Sequence, residues 1–240
     1  MILLPNILTA CNITLGLMAV FYAHQGHWII SAWLVLASTL FDGLDGKVAK
    51  WLKAESLFGK AFDSWADLIS FGLAPASIFY FSQDSQGSIF FWLAAFLYFF
   101  CAAFRLIRFH GEPQSPRNRQ RRNYFRGLPT TASAGFFASF MILFGRDPHM
   151  ALPTLYLIVV LSALMVSDIR FLNPKYARLN LATTRRLLPF ISGLLLIGIL
   201  ANPAGVPFFC FSFYILSGLL TQHAPLKDSL EKYLDLEVEA

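Results

Sequence analysis

The chain has 240 residues, of which 56% are hydrophobic, 16% aromatic and only 14% charged. Its mean hydropathy is +0.56, whereas in soluble domains about a quarter of the residues are charged. These values exclude a disordered chain, a secreted disulfide-rich scaffold and an ordinary cytosolic enzyme, so we expect a polytopic integral membrane protein. The net charge of +5 is, in such a chain, typical of basic cytoplasmic loops.

Apolar stretches of nearly the length that a membrane-spanning helix needs, about 20 residues, recur along the chain. They predict an all-α helical bundle with eight spans, and six is the lower bound because three of the stretches are short or have polar ends. In chain order the stretches are 7–23, 28–50, 63–82, 88–109, 130–146, 150–171, 187–202 and 204–222.

The lysines and arginines fall almost entirely on one side of this eight-span arrangement. All except Arg146 lie in or next to the segments that join spans two and three, four and five, or six and seven, or in the tail. By the positive-inside rule, both termini and these segments are cytoplasmic. The basic run at 117–122 allows two interpretations, a nucleic-acid patch or a loop against anionic lipid headgroups, and we favour the lipid headgroups over nucleic acid.

Four aspartates stand at the boundary of the second and third predicted spans, where a carboxylate is costly to place. Asp42 and Asp45 are three residues apart, and Asp63 and Asp67 are four apart, so each pair lies on one face of its helix. A loop at about 51–58 allows the two helices to run back against each other. The four carboxylates would then point into one gap.

Four carboxylates in one gap cannot all remain ionised unless cations lie between them. Oxygen ligands without His or Cys favour a hard divalent ion, Mg²⁺ or Mn²⁺, and two ions can share bridging carboxylates as in phosphoryl-transfer sites. Gly46 and Gly59 leave room for a diphosphate beside the acids, and Lys50 offers it a cation. The alternative is a set of helix-end charges paired with neighbouring lysines; the regular spacing of the four acids favours the metal site.

Written out, the stretch is Asp42-x2-Asp45-Gly46-x2-Ala49-Lys50-x8-Gly59-x3-Asp63-x3-Asp67. It resembles the motif of the CDP-alcohol phosphatidyltransferases, D-x2-D-G-x2-A-R-x8-G-x3-D-x3-D. It departs from that motif only at Lys50, where the family usually has Arg. The positive charge is kept there, but the two-pronged geometry of a guanidinium is lost.

The surrounding segments resemble the bacterial and archaeal phosphatidylserine synthases of that family. These segments are 4–9, 41–46, 62–76, 105–109, 125–129 and 164–171. The resemblance implies a catalytic membrane domain at 1–175 with a six-helix core, two additional transmembrane helices at 176–223 and a cytoplasmic tail at 224–240. It also implies a homodimer. Together with the charge pattern, it predicts a multi-pass protein of the bacterial inner membrane with a cytoplasmic active site.

The resemblance further implies that CDP-diacylglycerol is the donor, that L-serine is the acceptor, and that phosphatidylserine and CMP are the products. Asp42 and Asp63 would bridge two metal ions, while Asp45 and Asp67 would complete one each. Asp67 is also the candidate base for the serine hydroxyl. Residues implied to contact the CDP-lipid are Asn6, Thr9, Gly46, Lys50, Ser56 and Gly59.

The carboxylate of the acceptor serine needs a cationic partner, and Arg105, Arg108 and Arg126 are the candidates. Positive-inside anchoring is the alternative for these arginines, and the residues alone leave both interpretations open. Two other functions also remain open. One is the same chemistry with glycerol 3-phosphate, inositol or choline as acceptor, or with an ether-lipid donor; the other is a cation transporter, which would carry its acids at mid-span in two separate repeats.

Overall fold

A computed structural model describes residues 3–52, 57–83, 88–111, 124–172 and 205–221. Within these ranges the chain is almost entirely helical, which confirms the predicted class of helical membrane protein. The helices are α1 (Leu3–His24), α2 (Trp28–Trp51), α3 (Leu57–Asp67), α4 (Ala74–Phe81), α5 (Ile89–Gly111), α6 (Thr130–Phe144), α7 (Ala151–Val166) and α8 (Val206–Thr221), with a 3₁₀ turn at Pro148–Met150.

Two short strands depart from the all-α prediction. β1 (Tyr124–Arg126) pairs antiparallel with β2 (Arg170–Leu172), and Phe125 lies opposite Phe171. The sixth predicted span, 150–171, is therefore too long at its end: α7 stops at Val166 because the backbone becomes extended at Ser167 and then enters β2.

Three described helices are long and apolar enough to cross a membrane, namely Pro5–His24, Trp28–Val48 and Ile89–Phe109. Three others are apolar but shorter, namely Thr130–Phe144, Ala151–Val166 and Val206–Leu219. The count of eight spans stays a prediction. The predicted span 187–202 and the tail 224–240 lie outside the described residues.

The third predicted span is a helix with a wider turn in its middle. α3 ends at Asp67, a π-helical turn follows at Leu68–Leu73, and α4 continues from Ala74. Ser70 and Phe71 of this π turn are buried between α1 and α5. Single π turns inside α-helices are frequent at functional sites, and this one begins directly after a predicted metal ligand.

Small and hydroxylated residues bring α1 close to α2 and to the π turn. The Ser31 hydroxyl donates a hydrogen bond to the Ala19 carbonyl (2.6 Å), and the Ser70 hydroxyl donates one to the Asn12 carbonyl (2.9 Å). A Cβ atom on Gly16 would overlap the Ser70 side chain, so this approach requires glycine. Such close packing and interhelical hydrogen bonds hold helices together in lipid, where apolar contact alone contributes little.

The last described helix, α8, packs against α6 and the β-ribbon. The Phe211 ring lies directly over Gly135 of α6. Tyr214 stacks on Phe171 of β2, with ring centroids 6.1 Å apart and planes inclined by 29°. α8 therefore belongs to the same bundle as the helices before it.

Candidate active site

Three of the predicted metal ligands, one from α2 and two from α3, converge in the structure. One carboxylate oxygen from each of Asp42, Asp63 and Asp67 lies within 4.8 Å of the others, and all three residues are partly buried. Oxygens that bind one divalent ion at about 2.0–2.6 Å are themselves separated by up to about 5 Å. The three carboxylates therefore fit an ion of the Mg²⁺ or Mn²⁺ type, whereas the predicted pair of ions stays a prediction.

Asp45 lies beside this group of three, and only 4% of it is exposed. Its Oδ2 is 3.0 Å from the hydroxyl of Thr9 on α1. That hydroxyl is also 3.1 Å from the Pro5 carbonyl, so its single proton is shared between two acceptors. The carboxylates that act electrostatically on Asp45 are Asp63 and Asp42, which places it in the same charged cluster.

Asp67 is the last residue of α3 and directly precedes the π turn. Its Oδ1 is buried and has no hydrogen-bond partner among the described residues. A buried polar atom without a partner costs about 1–3 kcal/mol, and more when it is charged. The carboxylate is thus arranged to receive a cation or a proton from a ligand.

Arg105 of α5 is buried, with 8% of it exposed, on the side of the aspartates. Its Nη1 donates a hydrogen bond to the hydroxyl of Thr130, the first residue of α6, at 3.1 Å. Asp67 is the carboxylate with which its guanidinium interacts most strongly. The Arg105 Nε is buried without a partner among the described residues, so one cationic donor remains available to a ligand.

Arg108, one turn further along α5, makes a different set of contacts. Its Nη atoms donate to the carbonyls of Arg126 (2.7 Å), Val166 (3.1 Å) and Ser167 (3.3 Å). Its Nη1 also lies 3.6 Å from Asp168 Oδ1, to which Arg126 Nη2 donates at 2.9 Å. These contacts join α5 to β1 and to the end of α7, which is a structural role; binding of the acceptor by Arg108 or Arg126 stays a prediction.

Gly127, which follows β1, completes this junction. Its φ of +77° lies in the region that favours glycine. Its backbone N–H donates to the Ile169 carbonyl at 2.8 Å, and a Cβ atom there would overlap the Met165 carbonyl. Only the close approach in three dimensions explains why glycine is needed here.

Three other predicted CDP-lipid contacts lie on α1, α2 and α3. Asn6 is on α1 one turn before Thr9, Gly46 follows Asp45 on α2, and Gly59 precedes Asp63 on α3. The Lys50 side chain and Ser56 lie outside the described part of the chain. Contact of any of these residues with a lipid therefore stays a prediction.

Asn12 is a polar residue of this region that sequence reasoning missed. It is fully buried, and neither Nδ2 nor Oδ1 of its side chain has a partner among the described residues. The one signal in the sequence was an amide inside an apolar span, and a polar group in such a place is often functional.

The family model described as CDP-alcohol phosphatidyltransferase matches residues 2–169. The chain belongs to the CDP-alcohol phosphatidyltransferase family. The matched range contains the aspartate cluster, Thr9, Asn12 and Arg105, so the geometry described above lies inside the family domain. The resemblance seen in the sequence is confirmed, and the chain is an enzyme of this class.

Relatives of this CDP-alcohol phosphatidyltransferase occur in bacteria and archaea. A Helicobacter pylori protein named CDP-diacylglycerol–serine O-phosphatidyltransferase is 36% identical over 199 residues, which cover 79% of this chain and 80% of the relative. A Methanocaldococcus jannaschii protein of the same name is 32% identical over 175 residues, 73% of this chain and 75% of the relative. The archaetidylserine synthase of Methanothermobacter thermautotrophicus is 31% identical over 172 residues, 71% and 70% respectively.

Proposed function

We propose that this phosphatidyltransferase moves the phosphatidyl group of CDP-diacylglycerol to L-serine and releases CMP. The observation that carries the proposal is the convergence within 4.8 Å of Asp42, Asp63 and Asp67, three of the four aspartates of the motif. The names of the relatives, each of which specifies serine, support the choice of acceptor. A cation transporter would instead need acids in two separate repeats, whereas these acids form one cluster on α2 and α3.

The donor half of the site is assigned to the aspartates and the small residues beside them. Asp42, Asp63 and Asp67 would hold a divalent ion, with Asp45 completing the predicted two-ion set. When bound, Mg²⁺ or Mn²⁺ would neutralise the charge that develops on the phosphate of the departing CMP. Gly46, next to Asp45, carries no side chain that would keep a diphosphate from the backbone.

The transfer is a displacement at the phosphorus that carries the diacylglycerol. The serine hydroxyl oxygen forms the new bond to this phosphorus, its proton passes to the Asp67 carboxylate, and the bond to the CMP oxygen breaks. The buried, unpartnered Oδ1 of Asp67 supports its assignment as the base. Direct displacement inverts the configuration at phosphorus, whereas retention would indicate a phosphatidyl-enzyme intermediate and contradict this mechanism.

Arg105 is the residue that we assign to the serine carboxylate. It is buried beside Asp67, and its Nε has no partner among the described residues. Arg108 and Arg126 already donate to backbone carbonyls and to Asp168. A single buried guanidinium next to the base would orient the acceptor so that its hydroxyl faces Asp67.

The location of the site is proposed from the charge pattern of the sequence. The positive-inside rule supports a bacterial inner membrane protein with this end of the bundle in the cytoplasm. There the acyl chains of the donor stay in the bilayer while the nucleotide reaches water. Labelling of single cysteines at either end of the bundle in intact cells tests the orientation, and light scattering in detergent tests the predicted homodimer.

The function is tested with purified protein in detergent, CDP-diacylglycerol, Mg²⁺ or Mn²⁺ and a panel of labelled alcohols. We expect CMP release and a labelled lipid with L-serine, and neither with glycerol 3-phosphate, inositol or choline. EDTA should abolish the reaction and added metal should restore it. CDP-archaeol as a second donor tests the ether-lipid alternative that one relative's name suggests. If another alcohol of the panel labelled the lipid, the assignment of serine would be refuted. If no alcohol caused CMP release, the proposed function itself would be refuted.

A further inference from the structure

The side-chain amide of Asn12 is a buried polar group to which the proposed function assigns no role. Its exposed fraction is 0%, and both of its polar atoms lack partners among the described residues. The bond from Ser70 goes to the Asn12 backbone carbonyl and leaves the amide unsatisfied. Because nearly all buried polar atoms in native proteins have a partner, an amide with none indicates a ligand.

Two chain segments place Asn12 beside the aspartate cluster. Thr9, three residues before Asn12 and on the same face of α1, lies against Asp45. Ser70, which contacts Asn12, comes three residues after Asp67 in a segment that runs into the bundle beside α1. Because α1 and α2 run antiparallel, the amide lies about level with Asp42, which stands three residues before Asp45.

Two other unpartnered atoms belong to the same region. Asp67 Oδ1 and Arg105 Nε are both buried without partners among the described residues, and the two side chains attract each other. They lie on α3 and α5, while Asn12 lies on α1, and the π turn packs against both α1 and α5. Three elements thus present a carboxylate, a cationic donor and an amide that both donates and accepts.

We propose that Asn12 is a recognition residue for the acceptor. This proposal rests on the proposed function and explains why the acceptor would be an α-amino acid that bears a hydroxyl. The Asn12 Oδ1 accepts a hydrogen bond from the ammonium of the acceptor, and Nδ2 donates to its carboxylate, which Arg105 also binds. The hydroxyl remains free to face Asp67. An alcohol without the ammonium would leave the amide oxygen buried and unpaired, and sites of this kind reject such analogues strongly.

The test compares Asn12→Leu with the wild type. Leucine matches asparagine in the number and branching of its side-chain heavy atoms and removes the unsatisfied amide. It is larger than asparagine, so the unfolding temperature in detergent is measured beside the kinetics to register overpacking. The KM for L-serine should rise at least about tenfold, as expected from the loss of a hydrogen bond to a charged group. The KM for CDP-diacylglycerol should stay within about twofold. Thr14→Val is the matched control, since Thr14 lies on the same helix, is exposed and bonds only the Ala10 carbonyl.

A second measurement uses 3-hydroxypropionate, in which a hydrogen atom replaces the ammonium of serine. The wild type should discriminate strongly against it as acceptor or competitor, and Asn12→Leu should discriminate less. Asn12→Ala provides the same comparison if the leucine variant does not fold. If Asn12→Leu left the KM for serine unchanged, or raised the KM values for serine and CDP-diacylglycerol equally, the role of Asn12 would be overturned. The proposed function would still stand, because it depends on the activity of the wild type with serine. A wild type that uses only alcohols without an ammonium would overturn both.

Discussion

The hydroxyl of Thr9 lies 3.0 Å from Oδ2 of Asp45, although 36 residues separate them in the chain. This contact ties the beginning of α1 to the aspartate that stands beside the three converging carboxylates. Asp45 is buried next to like charges, so a donor that holds its carboxylate in one orientation stabilises the whole cluster. The contact also explains why a threonine at the start of the first helix accompanies a motif that lies on the next two.

Thr9→Val should lower kcat/KM about tenfold or more. The substitution keeps the shape of the side chain and removes a hydrogen bond to a charged group, which contributes about 1.5–3 kcal/mol, and each 1.4 kcal/mol is a factor of ten. Thr9→Ser keeps the hydroxyl and should retain most of the activity. CMP release measures both, with Thr14→Val as the control. Wild-type rates in Thr9→Val would show that the contact has no catalytic role.

Metal binding should stabilise the fold through the aspartate cluster. In the wild type, Mn²⁺ should raise the unfolding temperature relative to EDTA, because a ligand that binds only the folded state stabilises it. Asp63→Asn should remove this rise and lower the activity by at least about a hundredfold, since the amide lacks the charge that holds the ion. Asp147→Asn is the control, because Asp147 is exposed and caps a 3₁₀ turn. This variant should keep both the Mn²⁺-dependent rise in unfolding temperature and the activity. A full Mn²⁺ effect in Asp63→Asn would exclude Asp63 as a ligand.

Replacement of Arg105 and of Arg108 by alanine should have different effects. Arg108→Ala removes hydrogen bonds to three backbone carbonyls, so it should lower the free energy of unfolding by about 2–4 kcal/mol. It should change the KM values for serine and CDP-diacylglycerol equally. Arg105→Ala should raise mainly the KM for serine.

Thermal unfolding in detergent and steady-state kinetics with each substrate varied separate these two outcomes. If Arg108→Ala were as stable as the wild type and raised the serine KM alone, Arg108 would regain the acceptor role that the sequence left open.

The contact of α8 with α6 should depend on the missing side chain of Gly135. A Cβ atom there would overlap the Phe211 ring, so Gly135→Ala should destabilise the protein by about 1–3 kcal/mol through overpacking. Adding Phe211→Leu should restore much of the loss. Gly205→Ala is the control because a Cβ atom there meets only ordinary van der Waals contacts. Thermal unfolding measures all three variants beside the wild type, and a stable Gly135→Ala single variant would contradict the packing described for α8.

Much of the architecture followed from the sequence because the bilayer permits few choices. Apolar stretches near the length of the membrane core satisfy their backbone groups only as helices. The predicted spans 28–50 and 88–109 accordingly match α2 and α5 within two residues at each end. The predicted end of the sixth span was wrong. Arg170 belongs to β2 because it pairs with a strand more than forty residues earlier in the chain, and hydropathy along the chain does not predict such pairing.

The sequence by itself determined the helical membrane class and the faces on which the aspartates lie, since helical periodicity is a local property of the chain. It also carried the family motif. Only the tertiary structure showed that Arg105 and Arg108, which are one helical turn apart, have different partners. Only it drew attention to Asn12. Whether a buried polar atom has a hydrogen-bond partner depends on groups from other elements that lie within about 3 Å of it. The spacing of residues along one helix does not predict which groups those are.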